Sequence, residues 1–226
     1  MSFKTKTKAT TKNKKKQKKV NKFTKDHVPE DVKGTKKAFE VHLCLVAVID
    51  SIDFLPPPPT LEQKREFLKG IGKVNAFLTG NMAKFNIVNK EVNKRMDRLK
   101  TEAQSFKHLR KEVLRVPQEA LCAICASFVR LGIECIRVDA MGDSSSMYNA
   151  VMKRIAIRMF QLAIGCRGYI DHGIVDTYWS DDAWLDVLFD YYFFEHLERK
   201  QKREEKRPGQ LLLDRSNANF KRRAMR

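Results

Sequence analysis

Cys122 and Cys125 are separated by two residues, the spacing with which a chain presents two thiolates to one zinc ion. A structural zinc needs four convergent ligands, so folding would have to recruit Cys135, Cys166 or His172. The pair lies in an apolar run with no second pair nearby, and buried, inert thiols are the expectation, with no metal and no cofactor. Asp171, Asp176, Asp181 and Asp182 are carboxylates of the kind that hold metal ions in nucleases, but nothing in their spacing demands such a site. The histidines, His27, His42, His108, His172 and His196, are scattered, with no HExxH and no catalytic-cysteine signature. Gly-x-Ser-x-Gly, GxGxxG, Walker A, RNA-recognition, KH and zinc-finger patterns are absent from the sequence. No catalytic residue is assigned, and a non-enzymatic protein is expected.

Charge is the chemistry the chain has in abundance. Its 226 residues carry 45 Lys+Arg against 27 Asp+Glu, a formal net charge of +18. That excludes an acidic solvating protein and an ordinary neutral enzyme surface, while a 42% hydrophobic content excludes a wholly disordered chain. Five cysteines are an odd number at low density, which suits a reducing compartment and not a disulfide-stapled scaffold. The charge is uneven: residues 1–37 sum to +11, residues 199–226 to +8, and the stretch 38–198 between them to −1.

The first 25 residues hold eleven lysines and no acid: Lys4, Lys6, Lys8, Lys12, Lys14, Lys15, Lys16, Lys18, Lys19, Lys22 and Lys25. With so few apolar side chains, residues 1–37 read as a disordered arm. Lysine ammonium groups neutralise phosphates as point charges, so the arm is a candidate for non-specific nucleic-acid binding. The tail 199–226, helical at its start and then extended, contributes Arg199, Lys200, Lys202, Arg203, Arg207, Arg222, Arg223 and Arg226 to the same candidate interface. Leu211, Leu212, Leu213 and Phe220 suit a tail that orders on a structured partner.

The core 38–198 reads as all-α, a helical bundle of about five to six helices including one long amphipathic helix. Residues 38–55 read as a buried helix, too short and too polar for a confident membrane span, followed by a stiff spacer at Pro56–Pro59. Thr60 and Gln63 form a capping box for the next helix, which Gly70 and Gly72 weaken. Apolar residues from Phe85 to Val113 step by three or four up to Pro117, predicting a helix over 81–116 of about 50 Å. Its outer face is basic, and 60–116 carries a net +8, either a solvated face or a polyanion-facing ridge. Residues 118–137 read as the most buried helix, and Asp143 or one of Ser144–Ser146 caps the helix 146–165. A last helix starts at Asp181 and Asp182 and runs to 198 or beyond. Residues 171–198 hold eight acids and no Lys or Arg, so Asp181, Asp182, Asp186 and Asp190, with Trp179 and Trp184, are candidate subunit-docking residues for a basic arm. The bland alternative is an amphipathic helix whose outer face happens to be acidic.

The plan of a lysine arm, a neutral domain and a basic tail resembles the basic-armed structural proteins of RNA viruses. The stretch from Ala150 to Trp179, with Gly168-Tyr169, is similar to the end of the helical domain of rod-shaped plant-virus coat proteins. The pairing of a basic terminus with several hydrophobic segments is similar to the small virion membrane proteins of some plant and insect RNA viruses. These resemblances imply a capsid or nucleocapsid component that binds nucleic acid, with RNA rather than DNA the expected partner, and forms a homo-oligomer, in the virion or host cytoplasm. An anionic membrane surface is a further expected partner. The alternatives are a ribosomal or nucleolar RNA-associated protein, to which the lysine cluster would supply nuclear targeting, and a membrane-associated virion protein.

Overall fold

A computed structural model describes residues 32–49, 58–80, 89–106 and 110–195, with isolated positions between 202 and 209. Among the described residues the chain is all-α. Its helices are α1 (Val32–Ala47), α2 (Leu61–Lys69), α3 (Ile71–Thr79), α4 (Lys90–Gln104), α5 (Arg110–Leu114), α6 (Gln118–Leu131), α7 (Met147–Gly165), α8 (Asp176–Trp179) and α9 (Asp182–Asp190). A short 3-10 turn at Ile170–His172 precedes α8, and a π-helical turn, Tyr191–Glu195, extends α9.

The centre is the pair α6 and α7, with α4 on α6, α3 against both, and α1 and α9 on α7. α6 buries Ala120, Leu121, Ile124, Cys125, Phe128 and Leu131 at helical spacing, and the small residues Ala123 and Ser127 widen the buried stripe. Ser127 Oγ donates back to the Ala123 carbonyl at 2.8 Å, so its hydroxyl is satisfied in the core. Phe39, Phe77, Phe128, Phe160, Phe189 and Phe193 are fully buried, one or more from most of the packed elements.

Four of the expected helices take other bounds in the structure. α1 begins at Val32, inside the stretch assigned to the arm, because Val32 is buried and Thr35 Oγ1 accepts the Val175 N–H at 3.0 Å. It ends at Ala47 because Val48 turns left-handed (φ 56°) and the Ile49 N–H returns to the Cys44 carbonyl at 2.9 Å. The helix expected over 118–137 stops at Leu131. Gly132 takes φ 68° and the Ile133 N–H donates to the Phe128 carbonyl, which closes the helix end.

The long helix over 81–116 is not a single element. α4 ends at Gln104, where Ser105 Oγ takes the Glu102 carbonyl at 2.6 Å and the Phe106 N–H donates to Ala103. Phe106 is buried, and α5 packs back on α4, which a continuous helix forbids. Burying Phe106 and Val113 on one core outweighs the helical periodicity of the sequence. Gly70 likewise divides 61–79 into α2 and α3. Such breaks give nine α-helices among the described residues in place of five to six. The capping expectations hold: Thr60 accepts the Gln63 N–H at 3.2 Å while the Gln63 side chain accepts the Thr60 N–H, and Ser146 accepts from Asn149.

Candidate nucleic-acid interface

The arm lysines Lys4 to Lys25 and the tail residues Arg199, Lys200, Arg203, Arg207, Arg222, Arg223 and Arg226 lie outside the described residues. Of the assigned nucleic-acid-binding groups only Lys202 is described, as an exposed helical position. The structure therefore bears on the part of the basic surface that belongs to the folded core.

That surface starts from the outer face of α4. Val92, Met96, Leu99 and Ala103 face the core, and this stripe turns Lys90, Lys94 and Arg98 to solvent. The Asn89 side chain accepts the Val92 N–H at 2.9 Å and fixes where the helix starts. Arg98 is spoken for, bonding Glu102 at 3.0 Å and Glu134 at 3.5 Å. Arg95 is drawn inward, its guanidinium 5.2 Å from the Phe128 ring centroid, where it covers α6. Lys90 and Lys94 form no ion pair among the described residues, and with exposed Lys111 they remain available to a polyanion. Lys84, Lys107 and the Arg110 side chain, which belong to the basic segment 60–116, lie outside the described residues.

The acidic aromatic segment takes a different form from an open patch. Asp181 caps α9, accepting the Ala183 and Trp184 N–H groups at 2.9 and 3.1 Å. Asp182 accepts from Arg154 at 3.2 Å and from Gln161 at 2.8 Å. Asp190 and Asp186 lie 3.1 and 3.6 Å from Lys153 Nζ. Burial pushes the Asp190 carboxyl above the usual range, with Lys153 pulling it back down. Trp184 is half-buried against Tyr178, and Trp179 Nε1 donates to Asp176 at 3.0 Å. The docking candidates Asp182, Asp186 and Asp190 thus have partners on α7 of their own chain, while Asp181 is exposed and spent on capping α9.

The cysteines do not converge with other ligands. Among the described residues no group of three or more His, Cys, Asp or Glu side chains is placed to hold a metal ion. Cys122 and Cys125 are buried, and burial pushes the Cys125 thiol up to about 12, which keeps it protonated and inert. Cys135 lines a groove beside α2 and α3, and His172 sits in a different cleft.

The buried polar centre of the core is His42. Its Nε2 lies 3.1 Å from the Ala156 carbonyl, which can only accept, so Nε2 carries the proton. Burial lowers its pKa to about 3, so the ring is neutral and Nδ1 accepts the Tyr169 hydroxyl proton at 2.8 Å. This bond anchors the segment after α7, and that segment carries a cleft the sequence reading missed. Lys37, Arg115, Arg167 and His172 meet there from distant parts of the chain, so no local spacing could have signalled it. Among the described residues no helix is long and apolar enough to cross a membrane. No protein-family model, curated protein or solved structure matches this chain.

Proposed function

We propose that this chain is a non-enzymatic structural protein that binds RNA without sequence specificity through its basic termini and self-associates through its helical core, as a capsid or nucleocapsid component does. The observation that carries the reading is the charge partition: +11 in residues 1–37 and +8 in 199–226 around a stretch of −1. Basic segments with little apolar content neutralise phosphate, and a near-neutral domain can approach another copy without net repulsion. The internal partners of Asp182, Asp186 and Asp190 direct the search for self-contacts away from those carboxylates.

The test is filter binding of the full chain to single-stranded RNA across a salt series. Because α1 starts at Val32, the deletion that isolates the arm removes residues 1–25 and leaves that helix whole. Eleven phosphate contacts would contribute a slope of about 7 to 8 in log binding constant against log salt, and the deletion should remove most of it. An unchanged affinity and slope after the deletion would sink the assignment to the arm. A chain that shows no RNA binding at low salt would sink the function.

A further inference from the structure

A cleft of about 410 Å³ opens between α1, the turn joining α5 to α6, and the segment that follows α7. Its cations come from three places: Lys37 on α1, Arg115 after α5 and Arg167 after α7. Lys37 shares Glu40 at 3.5 Å, but Arg115 and Arg167 are exposed and form no ion pair among the described residues. That is notable because Glu112 and Asp171 also line the cleft, yet neither is within ion-pair distance of either guanidinium.

The backbone beneath the cleft is held in an unusual form. Arg167 and Tyr169 have φ values of 59° and 63°, a region that side-chain-bearing residues seldom occupy. Such geometry persists where its surroundings over-determine it, and it clusters at binding sites. Here the Tyr169 hydroxyl is tied to His42 and its ring is buried against Phe160, so the loop is pinned from below. The outward residues of this pinned loop, Arg167 and Ile170, reach the cleft, and Ile170 is 61% exposed despite its apolar side chain. Val116 and Pro117 line the cleft with it.

We propose that this cleft binds one phosphate group of a single-stranded nucleic acid, with Arg115 and Arg167 donating to its oxygens and the apolar wall of Val116, Pro117 and Ile170 covering the adjoining sugar or base. Guanidinium groups suit the task because their planar donors match phosphate oxygens two at a time. A free phosphate ion would leave the apolar wall uncovered, and the cleft is of the size that takes a small organic ligand. The carboxylates of Glu112 and Asp171 limit the cleft to one phosphate, since a second would meet them. The inference rests on the RNA-binding reading and adds to it a place where the folded core, and not a terminus, holds the strand.

His172 is the reporter, because it lines the cleft and its pKa is lowered by burial and by Lys37 and Arg115, with Glu112 and Asp171 opposing. An anion entering beside it should raise that pKa. The experiment follows the His172 ring resonances of the full chain by NMR at low ionic strength, assigned through His172→Gln, during titration with a uridine trinucleotide. The expected result is a saturable shift and a higher His172 pKa, weakened at least tenfold in the Arg115→Gln/Arg167→Gln variant and retained in Arg154→Gln, whose guanidinium pairs with Asp182 and does not line the cleft. Three results would overturn the proposal: no shift in the wild-type chain, a shift that survives in the double arginine variant, or inorganic phosphate binding as tightly as the trinucleotide. Filter binding of long RNA on the same samples keeps the two readings apart. Retained binding with a silent His172 removes the cleft alone, whereas lost binding removes the RNA-binding function.

Discussion

At the scale of single residues, His42 is the group whose chemistry is most constrained. It donates through Nε2 to Ala156 and accepts at Nδ1 from Tyr169, and the second bond requires the neutral ring. Its native pKa near 3 lies below the ordinary value of 6.5, so the unfolded chain binds the extra proton first as pH falls. The contribution of His42 is therefore complete above about pH 6.5 and declines by about 1.4 kcal/mol per pH unit down to about pH 3. His42→Gln keeps one donor and one acceptor without titrating. Urea unfolding of both proteins between pH 7.5 and 5 should show the difference shifting in favour of the Gln variant by that slope; parallel curves would refute it. Tyr169→Phe should cost about 1–2 kcal/mol at neutral pH, because it leaves His42 Nδ1 buried without its partner. The histidine was visible in the sequence as a polar interruption of an apolar helix, but its partners were not. Tyr169 and Ala156 become neighbours only when α1 packs on α7.

At the scale of elements, two contacts hold the parts around the candidate sites. A Cβ on Gly34 would stand 2.0 Å from the His172 carbonyl oxygen and 2.4 Å from that of Gly173, so α1 and the loop after α7 meet backbone to backbone. Gly34→Ala should destabilise the chain by about 2–3 kcal/mol in thermal or denaturant unfolding. By contrast, nothing lies near a Cβ at Gly132, whose φ of 68° is the only obstacle, and Gly132→Ala should cost about 1 kcal/mol. Equal losses at the two sites would contradict the packing difference. Lys153, with a side chain only 13% exposed, serves both Asp186 and Asp190. In Lys153→Met the two carboxylates face each other without a cation, and screening at their partly exposed positions holds the cost to about 1–2 kcal/mol at pH 7. Burial already raises the Asp190 carboxyl, and without the cation nothing pulls it back down, so the deficit should shrink as pH falls and Asp190 takes up a proton. A deficit that grows toward acid would show that the pair is not the cause. Helix starts at Thr60, Ser146 and Asp181 were legible because these residues act on backbone groups two or three residues away, whereas the start at Asn89 fell inside the helix expected over 81–116. The break after Gln104 was not legible, since Phe106 continues the apolar period and the chain turns there only to bury it in a core made by other helices.

At the scale of the whole molecule, assembly and RNA binding should be coupled through charge. With +18 per chain, copies repel at low salt, and added RNA should relieve that repulsion and drive association. Sedimentation velocity should show small species alone and large particles with RNA, and the chain lacking residues 1–25 should need more RNA or fail to assemble. Particles of the same size with and without RNA would separate assembly from polyanion binding. What the sequence by itself determined is the all-α class of the described core, the positions of most caps, and the division of charge between termini and middle. Each depends on composition or on contacts within one helical turn. The tertiary structure alone decided that Asp182, Asp186 and Asp190 meet α7, that the basic face of α4 is partly consumed by Glu102, Glu134 and Phe128, and that Lys37, Arg115 and Arg167 share a cleft. The physical reason is range: local hydrogen bonding and periodicity are written in neighbouring residues, whereas charge pairing and clefts depend on which helices bury their apolar faces against each other.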